Sequence, residues 1–238
     1  MNTVSVQRYA RTAGALVVIS ILAGAFSELY VPSILLVPAD LSATARNLEA
    51  HDFLLRASFA IYLVEATCDI TLTLIFYYLL KPMSKELALL AAFFGLVSTA
   101  TFAFAELFYF ASSFSATGGS LAEILPPDQR RIFTMLSLTL YGYGGSIFMV
   151  FYGIASILRG YLISRSKYLP RFLGVLLVFG GLGFVVKNFA LVLAPRFDSD
   201  YFLLPMFVAQ LPLAAWLLLR GVNTAVWETR SIVRGAPA

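Results

Sequence analysis

Six stretches of the chain are apolar over roughly the twenty residues that a spanning helix needs. They run over 13–37, 53–80, 87–113, 132–158, 172–194 and 202–220. Charge or helix breakers bound each one. Lys81-Pro82 and Ser84-Lys85 separate the second from the third. Pro126-Pro127-Asp128 precedes the fourth, with proline suited to a first helical turn. Arg165, Lys167 and Pro170-Arg171 divide the fourth from the fifth, and Pro195-Arg196 closes the fifth. The pattern predicts an all-α fold, a polytopic transmembrane bundle of six helices that occupies 1–238 as a single transmembrane domain.

Polar positions inside these runs are periodic. In the second, Ser58, Tyr62, Glu65, Asp69 and Thr73 recur at helical steps and share one face. In the third, Gly95, Thr99, Phe102, Glu106 and Tyr109 do the same. In the fifth, Gly180, Gly183 and Lys187 follow, and small residues on such faces let helices approach closely. A charge facing lipid at mid-bilayer costs at least about 2.5–3.5 kcal/mol. Glu28, Glu65, Asp69, Glu106 and Lys187 are therefore expected to point into the bundle as a candidate ligand or ion site. At about 1.5 Å per residue, Glu28, Glu106 and Lys187 lie roughly 24–32 Å from the inner boundary. Glu65 lies about 21 Å from His51 on the same rise, with Asp69 one turn deeper. Lys187 is then the expected partner of one or more of the carboxylates. Four acids facing one base leave an excess of negative charge.

Between the spans, 40–49 reads as a short helix capped by Asp40 or Ser42, with Leu41, Ala45 and Leu48 as its apolar stripe. The Gly- and Ser-rich start of Ser115–Asp128 reads as irregular, and the tail after Arg220 as a short amphipathic helix. Tyr78-Leu79-Leu80 with Ser84-Lys85 recurs as Tyr161-Leu162-Ile163 with Ser166-Lys167, a faint repeat. Arg8 and Arg11 before an apolar run, with Ala23-Gly24-Ala25, resemble a cleavable leader. The run continues to Val37, which favours an uncleaved first helix.

Composition agrees with this reading. The 238 residues are 60% hydrophobic and 13% charged, against about 25% charged in soluble domains. Lipid, as the facing solvent, removes the need for a charged coat. The net charge of +4 resides in short loops and tails, so it reads as a topology signal and not as a nucleic-acid footprint. One side carries Arg8, Arg11, Lys81, Lys85, Arg159, Arg165, Lys167, Arg171, Arg220, Arg230 and Arg234; the other carries Arg46, Arg56, Arg130, Arg131 and Arg196. That bias puts both termini in the cytoplasm and the chain in the cell inner (cytoplasmic) membrane.

Chemistry is sparse. A single Cys68 and a single His51 exclude an intrachain disulfide and the usual His/Cys zinc site. Gly144-Gly145-Ser146 lacks a plausible histidine base. Gly180-Gly181-Leu182-Gly183 lies within a span, where it serves packing. Tyr141 and Tyr143 with Gly142 and Gly144 suggest a close helix contact, and Gln210, ahead of Pro212, an interhelical hydrogen bond. No catalytic residue, cofactor or metal is implied. The expected partners are the lipid bilayer, a lipid or small polar ligand, and another membrane protein. Three uses of the intramembrane charges stay open: a buried pair that fixes register, a polar cavity open to the outside, and a lipid-directed catalytic site. The first two suit an accessory, sensor or binding protein. An ion- or proton-coupled transporter using Glu65, Asp69, Glu106 and Lys187 is the alternative.

Three stretches carry a family resemblance. The first is Ala23-Gly24-Ala25-Phe26-Ser27-Glu28 with Leu36-Val37-Pro38-Ala39-Asp40 and Ala43-Thr44-Ala45. The second runs from Leu79-Leu80-Lys81-Pro82 through Leu87-Ala88-Leu89-Leu90-Ala91-Ala92-Phe93-Phe94. The third runs from Gly160-Tyr161-Leu162 through Leu169-Pro170-Arg171-Phe172-Leu173-Gly174-Val175-Leu176-Leu177. In order and over almost the whole chain, these resemble the bacterial membrane proteins grouped as domain-of-unknown-function family 4386. The resemblance implies a six-helix membrane protein without an assigned activity. Members often carry a histidine in the fourth helix and many an acid where Lys187 stands, so a site shared by the family is altered here.

Overall fold

The computed structural model describes residues 3–38, 40–114 and 124–235. Nine α-helices lie among them. They are α1 (Thr3–Gly24), α2 (Val31–Leu35), α3 (Leu41–Ala50), α4 (Asp52–Leu80), α5 (Lys85–Ala111), α6 (Pro127–Ser166), α7 (Arg171–Leu193), α8 (Leu204–Leu219) and α9 (Thr224–Gly235). A π-helical segment, Ala25–Tyr30, joins α1 to α2, and two 3₁₀ turns, Pro195–Phe197 and Asp200–Leu203, join α7 to α8. Six helical stretches are long and apolar enough to cross a membrane: Ser5–Leu35, Asp52–Leu80, Lys85–Ala111, Pro127–Ser166, Arg171–Leu193 and Asp200–Leu219. The six-helix, all-α expectation holds.

The boundaries differ most at α6, which runs for 40 residues. At 1.5 Å per residue it is about 60 Å long, twice the hydrocarbon thickness of about 30 Å. The apolar run sets its expected end at 158, but the helix continues because Tyr161, Leu162 and Ile163 remain apolar beyond Arg159. It stops at Lys167, whose φ of 63° is left-handed, a conformation that ends helices and that a side chain adopts at some cost.

The chain forms two compact units. Unit 1 comprises 1–19, 68–99 and 148–238; unit 2 comprises 20–67 and 100–147. In unit 1, α6 and α7 pack along a glycine seam. A Cβ on Gly153 would lie 2.7 Å from the Gly181 carbonyl oxygen, and one on Gly160 would lie 2.5 Å from that of Gly174. The pairings run antiparallel, each glycine admitting the other's backbone. Gly180 faces the backbone of Met206 and Gly183 the carbonyl of Phe202, so the face expected to pack closely does so. Gln7 donates to the Arg220 carbonyl at 2.9 Å and accepts from the Val222 amide at 3.1 Å, holding the turn after α8. Tyr168 and Trp227 both donate to the Leu79 carbonyl, at 2.7 and 3.0 Å. Burial pushes the Tyr168 hydroxyl above its ordinary range, so it keeps the proton it donates. α9 supplies the helix expected after Arg220.

In unit 2, α3 forms where expected, and the Asp40 carboxylate accepts from the Ala43 amide at 2.8 Å as its cap. Its buried face differs from the expected stripe. Thr44 and Leu48 are buried while Leu41 is exposed, because the Thr44 hydroxyl accepts from the Val37 amide at 2.9 Å and turns that face inward. Val31, Leu35, Leu48, Leu55 and Tyr109 form the apolar core. The Gly- and Ser-rich start of the second long loop, 115–123, lies outside the described residues.

Gly174→Val forces a side chain against the Gly160 backbone and should destabilise by about 1–3 kcal/mol. Gly142 meets nothing within 4 Å, so Gly142→Ala should be neutral or stabilising by up to about 1 kcal/mol. Thermal unfolding midpoints of the two purified variants check the contrast; equal midpoints would remove the seam from the account.

Candidate functional site

The site in unit 2 begins with a break in helical register. The first span leaves α geometry at Ala25 for one π-helical stretch and regains it at Val31. Such insertions recur at functional sites because the wider turn re-aims side chains. Here it carries Ser27 and Glu28. Ser27, 1% exposed, donates its hydroxyl to the Ser58 carbonyl at 3.1 Å, and Ser58 returns a bond of 3.3 Å to the Ser27 carbonyl. This reciprocal clasp fixes the π segment against α4. Gly24, immediately before it, makes room for Glu65, since a Cβ there would lie 2.9 Å from Glu65 Oε1.

A second close approach completes the site. A Cβ on Gly144 would lie 2.5 Å from that of Ala105, so α6 presses against α5 one residue from Glu106. The expected close contact thus rests on Gly144, while Gly142 faces open space. The approach brings the Tyr141 ring to 5.0 Å from that of Tyr109 and 6.4 Å from that of Phe102. Tyr141 donates its hydroxyl to Glu28 Oε2. The Tyr62 ring sits edge-on to Phe102 at 5.2 Å.

Glu106 is the centre. It is fully buried, 0% exposed, beside Glu28 and Glu65. Among the described residues, neither of its carboxyl oxygens has a hydrogen-bond partner of ordinary length and angle. The hydroxyl of Tyr109, 1% exposed, is likewise unmatched. A buried polar group left so costs about 1–3 kcal/mol. Groups of this kind usually mark a site whose partner is supplied from elsewhere.

Three of the five residues singled out from the sequence, Glu28, Glu65 and Glu106, thus come together in unit 2. Asp69 belongs to unit 1, where it faces Arg159. Arg159 donates to the Thr73 hydroxyl at 3.0 Å, lies 5.4 Å from the Phe76 ring centroid, and is 8% exposed. Gly95 admits it: a Cβ there would lie 2.5 Å from Arg159 Nη2. Arg159 is thus not a loop charge, as the expected end at 158 implies, because the helix runs on to Ser166. The helical spacing of Tyr152, Ser156 and Arg159 was the signal that could have found it. Gln210 donates to the Tyr152 hydroxyl at 2.5 Å in the same unit, the interhelical bond expected of it.

Lys187 has other ion-pair partners than the intramembrane acids expected. Its ammonium lies 3.4 Å from both Asp198 and Asp200. The side chain, near the end of α7, is long enough to reach out of the apolar layer, and the two 3₁₀ turns fold these acids back toward it. Asp200 is 90% exposed, so that pair contributes little; Asp198, at 25%, is the more effective partner.

The family profile described as "Domain of unknown function (DUF4386)" matches residues 12–221. An "Uncharacterized protein" from Archaeoglobus fulgidus is 27% identical over 155 residues, 64% of this chain and 76% of that protein. No solved structure matches the chain.

Arg159→Met strands Asp69 and Thr73 and should destabilise unit 1 by about 1–3 kcal/mol. Adding Asp69→Asn should recover part of that loss, because the negative charge that Arg159 faced goes with it. Melting midpoints of the two singles and the double read the coupling. Strictly additive losses would show that the two side chains do not interact.

Proposed function

The chain belongs to the DUF4386 family, a domain of unknown function, and from that premise we propose that it acts by binding, as a sensor or accessory protein of the membrane. Its site is the acid-and-tyrosine cluster of Glu28, Glu65 and Glu106 with Tyr62, Tyr109 and Tyr141. The ligand group is a hydrogen-bond donor with positive charge, such as an amine, which the outer side of the cytoplasmic membrane supplies. Both termini then lie in the cytoplasm. With Arg159 taken into the bundle, Lys and Arg still stand ten against five across the two sides.

The single observation that carries this reading is Glu106: a carboxyl group 0% exposed, beside Glu28 and Tyr141, whose oxygens have no hydrogen bond of ordinary length and angle among the described residues. Three carboxyl groups in one low-dielectric place cannot all stay ionised without a counter-charge. A bound cation supplies it and also satisfies the open oxygens. The described residues bring no three acidic, histidine or cysteine side chains into an arrangement that holds a metal ion, which favours an organic amine. The π segment supports the same assignment, since a register break costs helix regularity and is maintained where a side chain must be aimed.

The test pairs stability with binding. Glu106→Leu should leave the unliganded protein at least as stable as wild type, by up to about 1–3 kcal/mol, because an unsatisfied group is removed. Ethanolamine, titrated against the purified protein, should raise the melting midpoint of wild type and not of Glu106→Gln. A carboxyl kept only for packing gives the opposite pair: a strongly destabilised Glu106→Leu, and no amine response in wild type.

A further inference from the structure

Unit 2 also contains a cavity of about 210 Å³, distinct from the acidic site, lined by Ser42, Ala45, Arg46 and Glu49 of α3 and by Pro127, Arg130, Arg131 and Thr134 of α6. Both helices contribute residues at the same helical spacing, one full face each. The two faces oppose each other with three arginines between them. Like charges so placed repel and raise the free energy of the fold unless something negative lies between them.

Among the described residues the lining supplies little of it: Glu49 is the one acid there, and it makes no ion pair among them. Nor do Arg46, Arg130 and Arg131, whereas Arg56 in the same unit holds Asp52 at 2.7 Å. Arg130 Nε is buried with no hydrogen-bond partner among the described residues. The floor is polar: Thr134, 3% exposed, donates its hydroxyl to the Ser112 carbonyl at 3.2 Å. Guanidinium groups around a polar hollow fit the tetrahedral oxygens of a phosphate, which they hold in pairs of parallel bonds. The volume leaves room for such a group with part of its hydration.

The surroundings indicate the depth. Ile124, Ile132 and Phe53 are 75%, 67% and 83% exposed, and Ile132 follows Arg131 directly. Apolar side chains so exposed next to unpaired arginines describe the level where acyl chains give way to headgroups. We propose that the Arg46–Arg130–Arg131 cavity binds a phosphate group, that of an anionic phospholipid headgroup or of a free phosphate.

The full chain is reconstituted in nanodiscs of phosphatidylcholine with one part in ten phosphatidylglycerol, and retained lipid is counted by native mass spectrometry. Arg131 is exposed, so Arg131→Gln is made first, then Arg46→Gln/Arg131→Gln. Arg196→Gln, in the connection after α7, is the charge control. The expected result is enrichment of phosphatidylglycerol on wild type and on the control, falling about ten-fold in the double variant. A second arm titrates inorganic phosphate against the detergent-purified protein and reads the melting midpoint. A phosphate-dependent rise that the double variant loses, without lipid enrichment, identifies the free anion as the source and keeps the site. Equal lipid retention in all four proteins, together with no phosphate response, overturns the proposal. Wild-type circular dichroism and a single gel-filtration peak show that the variants are folded.

Discussion

The structure depends on one constraint, that hydrocarbon offers polar groups nothing. Backbone amides inside the spans are therefore committed to their own helices, and side chains are sorted by what hydrocarbon can reach. The sorting is visible within one turn of α5. Phe104 and Leu107 are 62% and 52% exposed, while Ala105 and Glu106 between them are 1% and 0% exposed. In water such a surface would drive aggregation; in lipid it is the outer coat. The few ionisable side chains are forced together because they have nowhere else to go.

Two devices turn that enforced gathering into a particular arrangement. Glycines let helices approach until backbones touch, as at Gly144 against Ala105, and so set which side chains become neighbours. The π segment shifts the register of the first span so that Glu28 meets Tyr141. Neither device is chemical in itself. Together they leave buried polar atoms of Glu106 and Tyr109 without a hydrogen bond of ordinary length and angle among the described residues. Unit 1 shows the contrasting solution, in which Arg159 is held by Thr73, Phe76 and Asp69. In unit 2 the open atoms gather at one cluster of acids and tyrosines, and this argues for a ligand there.

The six spans, the Asp40 cap and the helix after Arg220 were legible in the chain, because hydropathy and capping are local properties. Helical spacing marks the faces of Glu65 and Glu106, whereas Glu28 stands out only as a charge within an apolar run. The partners of the charged residues were not legible. Lys187 was matched to intramembrane acids by depth alone, yet the 3₁₀ turns that return Asp198 and Asp200 to it depend on how the α7–α8 connection folds. Arg159 was misread because a topology count treats any positive residue at the end of an apolar run as a loop charge. The π register at Ala25–Tyr30 is imposed by the Ser27–Ser58 clasp between two helices, and no local pattern encodes it. The arginine cavity joins faces of α3 and α6 whose spacing was readable but whose pairing was not.

The most direct test of lipid as the organising solvent is accessibility along a single turn. Cysteines placed singly at 104, 105, 106 and 107 of α5 in a Cys68→Ser background are spin-labelled in bilayers, and relaxation by oxygen, which concentrates in hydrocarbon, is measured. The account predicts strong oxygen relaxation at 104 and 107 and weak relaxation at 105 and 106. Oxygen access at 106 equal to that at 104 would contradict it, because Glu106 would then face acyl chains and the interior polar site would not exist.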